Sequence, residues 1–532
     1  MAQNFSLSVA LASASTLVLL QFFSRIFTFL LNQALVRLVS PQVFGTAAIQ
    51  FELLLSTILF LSREGVRGAL LRATPSSDAT PDKPADQHSE ALVANISLLP
   101  VLLGIPAAIL ITVFYTVTAS DSTVSQPHFR LSVAIYVCAA LFELLSEPLY
   151  IRAQNQLRFD VRAKAEGLAV ALKSVVAFAV LIAASADWAL VAFAMGQAVY
   201  GLTIYLSYLK TYRRYSLWPR KVTTVVHGNS KTTYFDPPLL HLARAMTGQS
   251  VIKHFLTEGD KFLVSRLSPL ADQGGYAMAS NYGSLVARII LQPIEETSRM
   301  FFSKTLAAKN KEALETASSM LFSLLLMFTH LFLMLVAFGP PYLPLAASLL
   351  LPPRYLDTSA PTILHTYIYY IPIMAYNGIL EAFFASACSP ADLHAQSRWM
   401  FVFSVGFVVA AVGLAKGLGM GDAGLVWANI ANLLCRAVYA WLFVQRVFRE
   451  ENSAHLVSWR KAAPPAAVLA VFVMSAAITR WSEVRHSDLP VSVGAQIGHI
   501  SVGVACLVGC LSTCAMVERT TFVEMFRFLR RR

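Results

Sequence analysis

The run LFSLLLMFTHLFLMLVAF, residues 321–338, indicates the fold class because it contains no Asp, Glu, Lys or Arg. A helix of about 18–20 such residues crosses the hydrocarbon core of a bilayer. Similar runs recur along all 532 residues, of which 56% are hydrophobic and 14% charged. Soluble domains are about 25% charged. The chain is therefore predicted to be a polytopic integral membrane protein.

The predicted fold class is all-α, because no stretch shows the alternating pattern of a transmembrane barrel. The first apolar segment lacks a basic leader and runs past residue 30, so we expect it to be retained as a span. About fourteen transmembrane helices are predicted, near residues 9–37, 43–72, 91–119, 130–157, 163–185, 187–210, 238–266, 274–303, 314–338, 358–388, 397–416, 422–446, 460–480 and 490–517. Segment 73–90 is predicted to be a polar loop, and segment 339–361 to be Pro-rich and extended.

Basic residues set the orientation. Loops after even-numbered spans and the C-terminal tail hold about 27 Lys and Arg, against about 7 on the other side. Both termini are therefore predicted to be cytosolic. The net charge of +12 does not indicate nucleic-acid binding, because these cations are spread over many loops.

Segment 238–266 is the least hydrophobic predicted span. It carries Lys253, His254, Glu258, Asp260 and Lys261. Without it, every later basic loop would lie on the wrong side of the membrane, so we expect it to span despite its charges.

An internal repeat relates the two halves of the chain. LVRLVSP at 35–41 parallels LVSRLSP at 263–269, and two further motif pairs follow in the same order with similar offsets. These pairs are Glu64-x-x-Arg67 with Glu296-x-x-Arg299, and Glu147-Pro-Leu-Tyr150 with Glu381-Ala-Phe-Phe384. A parallel repeat of two six-helix lobes is therefore predicted. The expected parts are an N-lobe at 1–210, a basic linker at 211–237, a C-lobe at 238–450, and two added spans with a basic tail at 451–532.

Ionisable side chains inside these spans are costly unless they face water or a partner. They follow helical stripes on spans one, two, seven and eight. The stripes comprise Gln21, Arg25, Thr28 and Asn32; Glu52, Ser56, Arg63 and Arg67; Lys253, Thr257, Asp260 and Lys261; and Asn281, Ser284, Arg288, Gln292, Glu295 and Arg299.

These stripes allow two interpretations. In the first, they line a wet cavity. In the second, they have structural roles: they form ion pairs such as Glu64–Arg67 and Glu295–Arg299, hold helices together, or snorkel from span ends, as Arg37 would. The cavity is favoured for Arg25, Arg288 and the seventh span, and the alternatives are balanced for Arg37, Arg63, Arg67 and Arg299. Because arginine forks match phosphate oxygens and the flanks are apolar, we expect an amphiphilic ligand with a phosphate head.

The remaining sequence motifs give little evidence about function. GMGDAG at 419–424 has no preceding strand and is read as an interhelical turn. No Walker A motif, metal-ligand spacing or nucleophile with a base partner occurs, so no enzyme, cofactor or metal is expected. The sequons at Asn4 and Asn95 are expected in cytosol or membrane. Cys506, Cys510 and Cys514 share one helix face, where packing is favoured over a metal or palmitoylation site.

Four motifs resemble one known family. They are QFFSR at 21–25, LSREGVR at 61–67, LTEGDK at 256–261 and LQPIEETSR at 291–299. They are similar to the eukaryotic endoplasmic-reticulum family implicated in translocating the dolichol-diphosphate-linked heptasaccharide during N-glycosylation. Its superfamily includes multidrug-and-toxin extrusion transporters and flippases for lipid-linked peptidoglycan precursors.

The resemblance implies a V-shaped, two-lobed bundle of fourteen spans in the endoplasmic-reticulum membrane. It also implies movement of the lipid-linked oligosaccharide to the lumenal leaflet, with membrane lipids and other glycosylation-pathway membrane proteins as further partners. Combined with the polar stripes, it predicts a substrate site comprising Arg25, Arg37, Arg63, Arg67, Lys253, Glu258, Asp260, Lys261, Arg288, Glu295, Glu296 and Arg299.

Two alternatives stay open. One is a lipid-linked-oligosaccharide-binding or scaffold protein that moves nothing, and the other is an ion-coupled exporter of small organic molecules. Exporters in the superfamily rely on intramembrane acidic residues, whereas the first span here has only Arg25 as an ionisable group.

Overall fold

The structure is a computed structural model that describes residues 31, 33–72, 87–156, 158–212, 218–226, 229–307, 310–487 and 493–518. All four stripe residues of the first predicted span, including Arg25, lie outside the described residues. Of that span, only residues 31 and 33–37 are described. The described chain divides into two compact units, Met1–Gly274 and Gly275–Arg532. The four-part division predicted from the sequence stays a prediction.

In the first unit, a described helical stretch at 33–38 precedes a proline-led turn whose N-cap, Ser40, accepts a hydrogen bond from the Val43 amide. The labelled α-helices begin at this turn. They are α1 Pro41–Gly45, α2 Glu52–Arg72, α3 Gln87–Ile96, α4 Leu99–Thr118, α5 Asp121–Val124, α6 Phe129–Leu145, α7 Glu147–Asn155, α8 Phe159–Ala183, α9 Ala189–Thr211 and α10 Pro237–Leu267. A π turn at Thr46–Phe51 joins α1 to α2, and a 3-10 turn at Ala186–Trp188 precedes α9. Strands β1 (Val222–Val226) and β2 (Asn229–Thr233) form an antiparallel hairpin in the predicted linker.

The second unit begins within the next helix and is helical throughout its described length. Its helices are α11 Leu270–Val286, α12 Gln292–Leu306, α13 Lys311–Leu350, α14 Pro353–Leu356, α15 Ala360–Ala387, α16 Pro390–Val412, α17 Gly421–Glu450, α18 Ala466–Ser487 and α19 Val493–Val517. Short π turns lie at Ala287–Leu291 and Gly413–Gly417, and 3-10 turns at Ala454–Leu456 and Trp459–Ala462.

Among the described residues, eleven helical stretches are long and apolar enough to cross a membrane. Many of their large apolar side chains face outward; Leu110 and Val117 of α4 are 71% and 78% exposed. Apolar surface of this extent is stable against lipid, not water. The predicted all-α, polytopic membrane class is confirmed. Fourteen spans stays a prediction, because the first segment is not described and α10 and α11–α12 fall outside these eleven.

The core of the first unit packs α2 against α4, α6 and α9. Phe51, Ile58, Leu144 and Ala194 belong to one buried cluster there. Small residues allow close approach elsewhere: a Cβ at Gly196 would lie 2.7 Å from the Lys173 carbonyl oxygen of α8. In the second unit, α13, α18 and α19 share a cluster that includes Ala337, Phe472 and Cys510.

The prediction that residues 339–361 are extended was wrong for most of them, because 339–350, 353–356 and 360–361 are helical. Helix α13 continues through Pro340, Pro341 and Pro344 to Leu350. Pro341 has no N–H for the Ala337 carbonyl, but the buried Thr479 hydroxyl of α18 lies within donating distance of that carbonyl, at 3.1 Å. The same hydroxyl lies 2.8 Å from the Ser475 carbonyl of its own helix, so the two carbonyls share one donor. Neighbouring hydroxyls of this kind let membrane helices tolerate proline.

The π turn Ala287–Leu291 also changes the predicted stripe on the eighth span. An extra residue in one turn rotates all later positions by about 100°. Asn281 and Ser284 on α11 therefore do not continue in one straight line to Glu295 and Arg299 on α12, as a regular helix would require.

Candidate functional site

The first unit contains a cavity of about 270 Å³ between α2, α4 and α10. Its wall is mainly apolar and ends in a few polar groups. The lining residues are Gln50, Leu53, Leu54, Thr57, Leu61, Ile111, Phe114, Tyr115, Thr118, Ala119, Ser120, His254, Phe255, Glu258, Phe262, Ser265 and Arg266. Small-ligand pockets usually measure about 300–1,000 Å³. The cavity therefore fits a short apolar segment, not an oligosaccharide.

Close contact between α2 and α10 closes one end of this region. A Cβ added to Gly65 would lie 2.5 Å from the Thr247 Cα, and one on Gly68 would lie 2.7 Å from Met246. Glycine at these positions lets the two backbones touch. The helices separate toward the cavity, where the Thr57 hydroxyl lies 2.9 Å from the His254 Nε2.

His254 is a buried polar group in the cavity wall, 3% exposed. The Thr57 hydroxyl donates to the Leu53 carbonyl at 2.7 Å, so its oxygen accepts a proton from His254 Nε2. This arrangement leaves Nδ1 as an acceptor, and it has no hydrogen-bond partner in the described protein. Phe60 packs on the imidazole with ring centroids 4.9 Å apart.

The far end of the cavity is tied by polar side chains. Gln50 Nε2 donates to Gln273 Oε1 at 2.8 Å, and the Tyr115 hydroxyl donates to Gln50 Oε1 at 3.0 Å. Arg266 donates to the Thr118 carbonyl and hydroxyl, both at 2.8 Å. Arg266 remains exposed, so a cationic group lies at the rim of an otherwise apolar cavity.

The predicted cations Arg63 and Arg67 lie in an ion-pair cluster next to this cavity helix. Arg67 binds the Glu147 carboxylate in a fork, with Nε–Oε2 at 2.7 Å and a second short contact from Nη2. Arg63 Nη1 lies 3.3 Å from Glu147 and 3.7 Å from Glu143. Two carboxylates thus offset two guanidinium groups. Both arginines therefore form ion pairs, but with Glu147 and Glu143, not with the Glu64 that the sequence suggested for Arg67. Their place in the substrate site stays a prediction.

Other predicted site residues occupy separate places. On α10, Glu258 and Lys261 form an ion pair at 2.8 Å, and Asp260 Oδ1 accepts from the Lys261 amide at 2.8 Å. Among the predicted residues whose side chains are described, only Glu258 lines the cavity. Arg37 is exposed near the end of the helical stretch 33–38, ahead of α1. Lys253 and Arg288 lie on described helices, but their side chains, like all of Arg25, lie outside the described part of the chain.

In the second unit, the predicted acidic residues lie on α12 and bond within that helix. Arg299 donates to Glu295 at 2.9 Å, and Gln292 donates to Glu296 at 2.8 Å. Gly378 of α15 makes room for Glu295, because a Cβ there would lie 3.0 Å from its carboxylate.

The ion pairs of the two units match the internal repeat only in part. Glu381, which the repeat aligns with Glu147, binds Arg436 in a fork at 2.9 and 3.0 Å. Each unit therefore pairs this glutamate with an arginine, but Arg299, which the repeat aligns with Arg67, binds Glu295 instead. The repeat stays a prediction.

Sequence reasoning missed several cavity residues. Gln50, Thr57 and Arg266 were not singled out, because their partners come from other helices. His254 was noted only among the ionisable residues of segment 238–266. The one available signal was the polar content of α10, which the sequence did identify.

The fold and site together define a polytopic helical membrane protein with the fold of a lipid flippase. The solved structure of the lipid II flippase MurJ in its inward closed conformation matches with a TM-score of 0.60 at 14% identity, covering 94% of this chain and 99% of that one. This likeness establishes the fold.

A sequence profile of the family described as Rft-1, Rft protein, matches residues 9–528. The chain belongs to this family, as the four motifs predicted. Relatives named Man(5)GlcNAc(2)-PP-dolichol translocation protein RFT1 include that of Yarrowia lipolytica, 36% identical over 85% of this chain and 73% of that protein. The Saccharomyces cerevisiae relative is 30% identical over 82% and 83% of the two chains, and the Xenopus tropicalis relative is 29% identical over 95% and 94%.

Proposed function

We propose that this protein translocates a dolichol-diphosphate-linked oligosaccharide from the cytosolic to the lumenal leaflet of the endoplasmic-reticulum membrane. The observation that carries the proposal is family membership over nearly the whole chain, from residue 9 to residue 528. The relatives whose names describe this translocation align over most of both chains. On the same grounds we propose that the role is not enzymatic. The alternation of basic loops supports the further proposal that both termini are cytosolic.

The cavity of the first unit supplies a physical role for one part of the substrate. Its apolar wall suits an isoprenoid segment, because burying each methylene contributes about 0.8 kcal/mol. For polar groups of the ligand, Arg266 at the rim is a hydrogen-bond donor and the His254 Nδ1 is an acceptor. We propose that part of the lipid tail occupies this cavity, while the sugars remain outside it.

The proposed diphosphate contacts are the cations that sequence analysis placed in the wet cavity. Arg25, Lys253 and Arg288 are the first candidates, and Lys261 is the fourth because its pairing with Glu258 leaves it partly exposed, at 36%. Arg37 is a weaker candidate at a span end, and Asp260 and Glu296 would contact sugar hydroxyls.

Arg63 and Arg67 are assigned a different task. Because both bind buried carboxylates, we propose that Arg63 and Arg67 hold α2 against α6 and α7 and influence transport by positioning helices, not by touching phosphate. Arg299 pairs with Glu295 but is 51% exposed, so it stays a candidate phosphate contact, as Lys261 does.

The test is a vesicle assay with purified protein and the natural lipid. Arg288→Ala is expected to slow oligosaccharide-lipid movement by roughly 10- to 100-fold, since a charge-assisted hydrogen bond contributes about 1.5–3 kcal/mol. Arg354→Ala, at an exposed arginine outside the membrane helices, is the matched control and should move lipid at the wild-type rate. Equal rates for the two folded variants would remove Arg288 from the site. Lipid binding by wild type without movement would favour the scaffold alternative.

A further inference from the structure

Three side chains with metal-binding atoms meet in the core of the second unit. His330 of α13, Cys514 of α19 and Glu518, just beyond α19, place an imidazole nitrogen, a thiol sulfur and a carboxylate oxygen within 4.8 Å of one another. All three are more than nine-tenths buried, at 8%, 5% and 5% exposed. None of them belongs to the predicted substrate site.

The orientation of His330 is fixed by its other nitrogen. Nδ1 lies 2.8 Å from the Leu326 carbonyl oxygen, an acceptor, so Nδ1 carries a proton. Nε2 then faces Glu518 Oε2 at 2.6 Å. A histidine that donates one N–H to a backbone carbonyl and directs its other nitrogen into a carboxylate-containing site has the form that metal-bound histidines adopt.

Two lone pairs cannot approach to 2.6 Å unless a cation lies between or beside them. Either a proton bridges His330 and Glu518, or a metal ion binds both. Burying the His330–Glu518 ion pair is costly, because desolvation costs several kcal/mol per ion. The thiol of Cys514 adds a third ligand atom at this point, which a proton-bridged pair does not need but a metal ion would use.

The donor set selects the class of ion. Imidazole nitrogen, thiolate sulfur and carboxylate oxygen are the three ligand types of zinc sites, with bonds of about 2.0–2.3 Å. Bound atoms would then lie roughly 3.3–3.8 Å apart, so side-chain shifts of about 1 Å suffice. Calcium and magnesium prefer oxygen ligands alone.

We propose that His330, Cys514 and Glu518 form a binding site for zinc or a similar divalent transition-metal ion, which fastens the end of α19 to α13. Three protein ligands leave a fourth position for water or another small ligand. Sequence analysis predicted no metal, because the ligands lie far apart in the chain and no local spacing marks them.

The neighbouring cysteines provide internal controls. Cys510 is buried one turn away and lies 3.2 Å from the Ser475 hydroxyl, while Cys506 is only partly buried two turns away. Neither belongs to the three-residue group. The face that carries all three cysteines therefore divides into one proposed ligand and two packing residues.

The experiment uses the purified full-length protein in lipid nanodiscs. The protein is stripped with a chelator, refilled with Zn²⁺ or Co²⁺, washed, and analysed for metal content and absorption. We expect about one tightly held ion per chain, a sulfur-to-cobalt charge-transfer band in the near ultraviolet, and a lower melting temperature after chelation that Zn²⁺ restores.

Variants then identify the ligands. Cys514→Ser should abolish the charge-transfer band, and Glu518→Gln should weaken Zn²⁺ retention by roughly 10- to 100-fold, whereas Cys506→Ser and Cys510→Ser should match wild type. Wild-type protein that retains no ion after washing would overturn the proposal whatever the variants do. Retention with an unchanged cobalt band in Cys514→Ser would overturn it as well. The result does not depend on transport activity.

Discussion

Removal of the Glu147 carboxylate should destabilise the first unit strongly. Glu147 is 1% exposed and binds both Arg67 and Arg63. In Glu147→Gln the side chain keeps its size but leaves two guanidinium groups facing an amide.

The magnitude follows from the burial of the partners. Breaking a buried ion pair costs about 3–5 kcal/mol. Arg63 and Arg67 are 24% and 21% exposed, so water offsets part of that cost, and about 3 kcal/mol is expected. A change of 1 kcal/mol shifts the melting temperature of a domain of this size by about 2–4 °C. The melting temperature should therefore fall by roughly 6–12 °C.

The assay is thermal unfolding of the detergent-solubilised protein, read as loss of the monodisperse peak in size-exclusion chromatography. Glu166→Gln is the control, since Glu166 pairs with Arg162 at 2.8 Å while both side chains are over 40% exposed. Its loss should cost about 0.3–0.5 kcal/mol. The double variant Arg67→Met/Glu147→Leu should lose less than the sum of its parts, because no unpaired charge at Arg67 remains. Equal shifts for Glu147→Gln and Glu166→Gln would refute the reasoning.

Three further predictions test helix contacts. Gly65→Leu should separate α10 from α2 and cost about 1–3 kcal/mol by overpacking, measured as a lower melting temperature, whereas Gly167→Leu, with no atom within 4 Å, should be neutral; a neutral Gly65→Leu would contradict the close contact. Asn95→Ala should speed cleavage of the 220–234 hairpin in limited proteolysis, because the Asn95 amide bonds the Arg220 amide and carbonyl and the Tyr234 carbonyl at 2.6–2.8 Å. Cleavage at the wild-type rate would contradict this role. Thr479→Val should cost about 1–3 kcal/mol by leaving the Ala337 carbonyl without its hydroxyl donor. Thr513→Val should not change the melting temperature, because the Thr513 hydroxyl bonds within its own helix; equal shifts for the two variants would contradict the role of Thr479 beside Pro341.

The sequence was sufficient for the class of fold and for the family. Apolar runs and scarce charges predicted a helical membrane protein, and motifs such as LTEGDK predicted the family that the comparisons bear out. These features are local, so they can be read along the chain. The helix over 237–267 was expected from the alternation of basic loops, although its hydropathy is poor.

Contacts between distant residues could not be predicted in this way. Glu147 stood out as part of a repeat, but its two arginine partners, 80 and 84 positions away, appear only once α2 packs on α7. Proline content suggested an extended segment at 339–361, whereas α13 continues to Leu350, with the Thr479 hydroxyl of another helix near the carbonyl that Pro341 leaves without an N–H donor. His330 and Glu518 likewise meet only in the folded unit.

The central claim is that this protein moves a lipid-linked oligosaccharide across a bilayer. The most direct measurement follows the dolichol-diphosphate-linked heptasaccharide in sealed vesicles with and without purified protein, scoring the fraction that an added sugar-binding protein can reach. If the claim holds, the heptasaccharide lipid becomes accessible from both sides rapidly, at a rate that scales with protein content and exceeds the rate for an ordinary phospholipid. If the protein is folded and binds the lipid, but the lipid crosses no faster than in protein-free vesicles, the claim is contradicted.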